Sequence, residues 1–293
     1  MHKAGFVNIV GNPNVGKSTL MNRLVGERIS IATFKAQTTR HRIMGIVNTD
    51  EMQIVFSDTP GVLKPNYKLQ ESMLAFSESA LTDADVLLYV TDVVENPEKN
   101  MEFLEKVQKM TIPVLLLINK IDESDQNTLG DIVTKWHSLL PNAEILPISA
   151  KNKFGTDILL KRIKELLPDS PPYFDKEQLT DKPARFFVSE IIREKILLYY
   201  DKEIPYAVEV KVDRFKEDDR HIHINAVIFV ERESQKGIII GHQGYALKKV
   251  STESRKALEK FFGKSIFLEV FVKVDKDWRS SKKELDSFGY NDV

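Results

Sequence analysis

Five short, largely apolar runs punctuate the first half of the chain, at residues 6–10, 53–57, 86–90, 114–118 and 144–148. Continuous apolar runs of about five, bounded by turn residues, predict strands buried on both faces. Helical stretches separate them. Residues 17–25 form the first, and residues 157–167 close the series with Thr156 placed as an N-cap. Strands alternating with helices predict an α/β fold, a doubly wound and mostly parallel sheet, over residues 3–168.

The pattern then changes. Pro168-Asp169-Ser170-Pro171-Pro172 cannot continue a helix, and residues 175–183 are polar and charged, so 169–184 reads as a linker. Beyond it, residues 186–199 carry helical apolar spacing, while 206–212, 221–230 and 266–274 alternate as strands do. A charged turn is expected at 214–219. A glycine turn ending at Gly244 precedes a helix over 245–262. These elements predict a smaller α+β domain over 185–276. The tail, 277–293, has a short helix at 281–288.

Three motifs lie at strand ends. Gly11-Asn12-Pro13-Asn14-Val15-Gly16-Lys17-Ser18-Thr19 follows the first strand and opens the first helix, the context of a phosphate-binding P-loop. Its glycines let backbone N–H groups turn inward, and the helix N-terminus favours anions. Lys17 is placed to reach β- and γ-phosphates and Ser18 to ligate Mg²⁺. Chance yields such a motif on the order of 0.01 times in this length.

Asp58-Thr59-Pro60-Gly61 ends the second strand, at the sheet edge where ligands bind. Asp58 can hold Mg²⁺ through water, and the Gly61 N–H can meet a γ-phosphate, which makes Val62 onward a switch. Asn119-Lys120-Ile121-Asp122 follows the fourth strand. Guanine presents two donors on one edge, and the Asp122 carboxylate can accept both. Adenine leaves such a site unpaired, a discrimination of roughly 10⁴–10⁵. Asn119 ties loops together, the stem of Lys120 covers the base, and the backbone of Ser149-Ala150-Lys151 meets the guanine oxygen. Together the motifs define a GTP-binding switch.

At these residues the chain resembles the Era family of bacterial GTPases. Ala36-Gln37-Thr38-Thr39-Arg40-His41-Arg42 matches the family's first switch, and one of Thr38 and Thr39 covers Mg²⁺ and the γ-phosphate. Lys17, Thr38, Thr39 and Gly61 are thus the candidate catalytic residues. Val62 stands where Ras-like enzymes carry a glutamine that orients water. Valine cannot do so, and unaided turnover should be slow. Asn14 matches relatives in which this residue helps hold a K⁺ beside the phosphates.

Gly241-His242-Gln243-Gly244, preceded by Ile238-Ile239-Ile240, resembles the RNA-binding turn of a type II KH domain, the C-terminal half of Era proteins. With 13 Gly in 293 residues, Gly-x-x-Gly alone arises about 0.6 times by chance, so the flanking elements carry the reading. Glycines at 241 and 244 let a nucleic-acid backbone approach N–H groups at a helix start. Lys236, His242, Lys248, Lys249, Arg255 and Lys256 supply local positive charge, with bases along an apolar groove beside Ile238, Ile239 and Ile240. His221, His223 and Asn225 share one strand face and read as exposed polar surface rather than a metal pair.

The chain has 42 basic and 43 acidic residues, so RNA contact must be local. It has no Cys, which excludes disulfides and Cys-ligated zinc and fits a reducing compartment. The first strand begins almost at once, leaving no room for a signal peptide, and no apolar stretch approaches a membrane span. The resemblance implies a cytoplasmic protein, peripherally associated with the inner membrane. It also implies GTP and GDP as ligands, and binding of the 3′ end of 16S rRNA, not DNA, in small-subunit assembly.

Overall fold

The computed structural model describes residues 2–290. The chain forms two compact units, residues 2–66 with 70–181, and 67–69 with 182–290.

The first unit is built on six strands: β1 (Lys3–Val10), β2 (Ile43–Asn48), β3 (Met52–Asp58), β4 (Val86–Asp92), β5 (Val114–Asn119) and β6 (Glu144–Pro147), in the order β2-β3-β1-β4-β5-β6. All neighbours are parallel except β2 and β3. Helices α1 (Lys17–Val25), α2 (Lys68–Thr82), α3 (Met101–Gln108), α4 (Gln126–Leu139) and α5 (Thr156–Leu166) complete the unit. Leu87, Tyr89, Leu116 and Ile118 pack with Phe103, Leu104 and Trp136 in one core. Isoleucines, leucines and valines on both faces of β4 and β5 are what a central parallel strand requires.

Strand β2 lies outside the five expected. Gly45 interrupts its apolar run, and the fold needs that glycine. A Cβ there would stand 2.4 Å from Ile29 Cδ1 and 2.7 Å from Met21 Cε, so α1 could not approach. At α5 the cap is Gly155, in left-handed backbone, not Thr156, whose hydroxyl donates back to the Lys153 carbonyl at 3.1 Å.

The segment read as a linker is pinned to the first unit as far as Asp181. Gln53 Oε1 accepts from the N–H groups of Tyr173 and Phe174, Ile46 N–H donates to Leu179 O at 2.8 Å, and Thr180 Oγ1 donates to Met44 O at 2.7 Å. It covers the outer edge of β2, which would otherwise present unpaired backbone groups.

The second unit comprises α6 (Ala184–Tyr199), α7 (Ile204–Ala207), β7 (Glu209–Glu217), β8 (His221–Val230), α8 (Glu233–Ile240), α9 (Tyr245–Phe262), β9 (Ser265–Val274) and α10 (Lys282–Ser287). Strand β7 runs antiparallel to β8, and β9 parallel to it. Two expectations shift. Residues 204–207 are helical, with Pro205 in the first turn, so the strand starts later. It also runs on through the charged residues. A bulge between Val212 and Arg214 turns Arg214 and Lys216 to solvent while Phe215 stays on the core. The turn is instead tied by Asp218 Oδ1, which accepts from the N–H groups of Arg220 and His221. Among the described residues no helix is long and apolar enough to cross a membrane.

A nucleotide cleft and a glycine turn

The P-loop is a backbone problem that its glycines solve. Gly11 has φ +146° and Gly16 φ +95°; a Cβ on Gly11 would stand 2.1 Å from the Val90 carbonyl oxygen, and one on Gly16 2.3 Å from Asn119 Nδ2. Gly61 lies against this loop, where a Cβ would fall 2.7 Å from Pro13 Cα. Asn14, also left-handed at φ +67°, shares with Pro13 the lining of a cleft of about 520 Å³. Gly16, Lys17, Ser18, Thr19, Thr38, Thr39, Gly61, Asn119, Lys120, Asp122, Ser149, Ala150 and Lys151 line it too. Thirteen of these fifteen were expected to meet the nucleotide itself, Thr38 and Thr39 its metal and γ-phosphate. Asn12, Val15, Asp58, Thr59, Pro60 and Val62 stand behind it and position it. Thr59 Oγ1, for instance, donates to Ile9 O at 2.8 Å.

Lys17 is almost wholly buried, its ammonium donating to Gly11 O at 3.0 Å and Asn12 O at 2.8 Å. Burial lowers its pKa to about 8, against the opposing pull of Asp58 and Glu95. Two of the ammonium's three donors meet P-loop carbonyls, and the third is left for phosphate.

Asp58 is fully buried. Its Oδ2 accepts from Ser18 Oγ and Ser30 Oγ, each at 2.6 Å, and from Thr39 Oγ1 at 3.4 Å; Oδ1 has no hydrogen-bond partner among the described residues. Burial pushes its carboxyl up, against these hydroxyls and Lys17. A buried carboxylate with one oxygen unmet, beside two hydroxyls only 2.8 Å apart (Ser18 and Thr39), fits a hard divalent cation with oxygen ligands such as Mg²⁺. The two switch threonines differ. Thr39 faces Ser18 and Asp58, while Thr38 Oγ1 donates to Lys35 O and meets Thr33 Oγ1. Ser30 was not anticipated, because nothing in its loop marks it apart from other serines.

At the base end, Asn119 Nδ2 donates to Val15 O at 2.8 Å and Oδ1 accepts from Ala150 N–H at 3.0 Å, so one side chain joins P-loop, β5 and the loop after β6. Asp122 Oδ1 accepts from Ser149 Oγ at 2.5 Å, which aims the carboxylate. Lys120 is fixed by an ion pair with Asp92, its Nζ 2.6 Å from Oδ2. Asp92 also went unnoticed, although it ends β4 at the same sheet edge as Asp58.

In the second unit, Gly241 has φ +72° and Gly244 φ +76°, with Gln243 left-handed between them. A Cβ on Gly241 would stand 2.6 Å from Ala246 Cβ; around Gly244 there is open space. His242, Gln243, Lys248 and Lys249 are exposed, Lys236 half-buried, and Lys249 Nζ lies 4.4 Å from the centre of the Tyr199 ring. Ile239, expected beside bound bases, is instead fully buried in the core, and its carbonyl accepts from Tyr200 OH; Ile238 is the exposed member of the run. Arg255 and Lys256 are paired with Glu259 and Glu253 along α9, which reduces the free positive charge. His223 stacks on Phe267 at 4.7 Å and Asn225 donates to Glu269, a polar strand face. No metal-holding group of three or more His, Cys, Asp or Glu occurs among the described residues.

Fold and cleft thus define a P-loop GTPase followed by a KH fold. The family model for "50S ribosome-binding GTPase" matches residues 6–120, and that for "KH domain" matches residues 203–279. GTPase Era of Staphylococcus epidermidis is 41% identical over 99% of this chain and 97% of its own length; that of Syntrophus aciditrophicus is 45% identical over 100% and 96%. The chain belongs to the Era family of GTPases. Among solved structures, Era in complex with MgGDPNP and nucleotides 1506–1542 of 16S ribosomal RNA superposes with a TM-score of 0.95, at 38% identity over 99% of both chains. A point variant of Aquifex aeolicus Era bound to GDP·AlF₄⁻ gives 0.94 at 38% identity, over 98% of this chain and 99% of that one.

Proposed function

We propose that this GTPase binds the 3′ end of 16S rRNA through its second domain, under control of the nucleotide, in assembly of the small ribosomal subunit. The observation that carries this is the turn Gly241–Gly244 before α9, left-handed at Gln243 and Gly244 and open at Gly244, with exposed Lys248 and Lys249 on the next turn. Backbone N–H groups there can take a phosphate at close range. The 16S fragment held by the relative in its complex has the same chemistry.

In this reading the GTPase domain is 3–168, 169–184 joins it to the KH domain at 185–276, and 277–293 is a tail. Lys17 and the P-loop amides hold the phosphates, and Ser18, Thr39 and Asp58 hold Mg²⁺. That ion would supply charge neutralisation at the β- and γ-phosphates. Asp122 and Asn119 read guanine, with Lys120, Ser149, Ala150 and Lys151 around the base. RNA is held by Lys236, His242, Gln243, Lys248, Lys249 and the two glycines. Asn14 helps hold a K⁺ that offsets charge developing on the phosphates, where Val62 offers no hydrogen bond to water. Equal turnover in K⁺ and Na⁺ buffers would remove that last role. We also place the protein in the cytoplasm with peripheral contact to the inner membrane, which liposome flotation tests.

The main test is crosslinking to total cellular RNA with a non-hydrolysable GTP analogue and with GDP, beside Gly244→Asp. Enrichment of small-subunit rRNA with the analogue, lost in the variant, is expected. Absence of enrichment in both states would make the second domain a protein-binding module.

A further inference from the structure

Asn100 stands at the N-cap of α3, where an asparagine side chain ordinarily accepts from the helix's own first N–H groups. It makes no such bond. Asn96, just upstream, does cap its short turn, accepting from Glu98 N–H at 3.1 Å. The Asn100 amide is used elsewhere. Its Nδ2 donates to the Val62 carbonyl at 3.0 Å and to Asn12 Oδ1.

Beyond Asn12 stands Glu95, a carboxyl pushed up by burial and held down in part by the Thr91 and Asn12 side chains; Thr91 Oγ1 donates to it at 2.7 Å. Asn12 Oδ1 accepts from the Asn100 amide, so the Asn12 nitrogen is the end turned toward Glu95. Val62 is meanwhile held from its other side, its N–H donating to Gly11 O at 3.1 Å. Its side chain is buried with Val10 and Tyr89, away from the cleft. Both ends of the residue after Gly61 are therefore tied to the P-loop, one directly and one through Asn100 and Asn12.

We propose that Asn100 is a positioning residue for GTP hydrolysis: acting with Asn12, it fixes the Val62 carbonyl, and with it the backbone just after Gly61, against the P-loop and keeps the valine out of the path of attacking water. The arrangement sets the start of the second switch without the glutamine that Ras-like enzymes use. It rests on the GTPase activity of the chain, whose failure would show as no hydrolysis by the unaltered protein.

The test is single-turnover GTP hydrolysis by the full chain, measured with GDP affinity and thermal stability. Asn100→Ala should slow hydrolysis about tenfold, the effect of one lost hydrogen bond, and leave GDP affinity within about twofold. Melting should fall by a few degrees at most, the scale of the two half-buried hydrogen bonds removed, because no helix cap is lost with them. Asn100→Asp keeps the shape and remains a good cap residue but has no donor; it should lose the same factor. Asn12→Ala should match Asn100→Ala, and the double variant should fall no further than either. Unchanged hydrolysis in Asn100→Asp, additive losses in the double variant, or GDP affinity falling as far as the rate would each overturn the proposal.

Discussion

Asp58 accepts the Ser18 hydroxyl on one carboxylate oxygen at 2.6 Å while its buried second oxygen meets no partner among the described residues. Thr39 closes the same group, 2.8 Å from Ser18 Oγ, whereas Thr38 is directed to Lys35 and Thr33. Thr39→Ala should therefore weaken Mg²⁺-dependent binding of a GTP analogue by about tenfold or more, the scale of one charged contact, and leave GDP binding nearly intact. Thr38→Ala should do less. Mg²⁺ titration of analogue affinity separates them, and a larger loss in Thr38→Ala would reverse the assignment.

Lys17 makes a prediction about pH. Its pKa is about 8 in the free fold against 10.5 for an ordinary lysine, because burial disfavours the charge. Between those values the unfolded chain holds a proton that the folded one lacks. Stability of the nucleotide-free protein should rise as pH rises through that window, by at most roughly 3 kcal/mol at 1.36 kcal/mol per unit. Phosphate binding needs the charged form, so GDP affinity should fall above pH 8. Lys17→Met should raise the stability of the nucleotide-free protein while abolishing GTP binding. A GDP affinity flat from pH 7 to about 9.5 would show that Lys17 titrates normally.

Ser149 holds the Asp122 carboxylate at 2.5 Å, with its oxygens available to two donors. Asp122→Asn places a donor where an acceptor stood. The variant should lose GDP by a factor of about 10² or more and gain xanthosine diphosphate, whose ring carries an oxygen in place of the exocyclic amine. Competition binding with both nucleotides checks this. Retained GDP preference would mean that Asp122 does not read the base.

The nucleotide site was legible because its chemistry admits few residues. Only glycine tolerates the backbone at 11 and 16; Lys17 opens α1 directly after that loop, while Asp58 ends β3 and Asp122 follows β5, strands that the apolar runs locate. Other parts depend on neighbours far along the chain. Gly45 hides β2 because the reason for the glycine is α1 packing over it. Periodicity could not say which of Ile238, Ile239 and Ile240 faces inward; packing against α6, β8 and α9 buries Ile239 and leaves Ile238 exposed. Asn100 carried no signal in the sequence, because only the fold brings Val62 and Asn12 to it.

The tail, to which the sequence assigned no chemistry, closes a buried charge network. Arg193 on α6 is fully buried and clasps Glu190 with two hydrogen bonds, at 2.8 and 2.7 Å; Glu209, which contributes to the field at Arg193, accepts from Tyr290 OH at 2.6 Å. Removing one member leaves a charge in the core without its partner, so Arg193→Ala should cost the second domain about 3–5 kcal/mol. Replacing all three charges, Arg193→Met with Glu190→Leu and Glu209→Gln, should recover part of that loss, because no ion is then left desolvated in the core. Tyr290→Phe removes a donor to a buried carboxylate and should cost about 1–3 kcal/mol. Urea unfolding monitored in the second domain measures all three. If Arg193→Ala unfolds with the unaltered midpoint, the network contributes nothing to stability and its groups are solvated in solution.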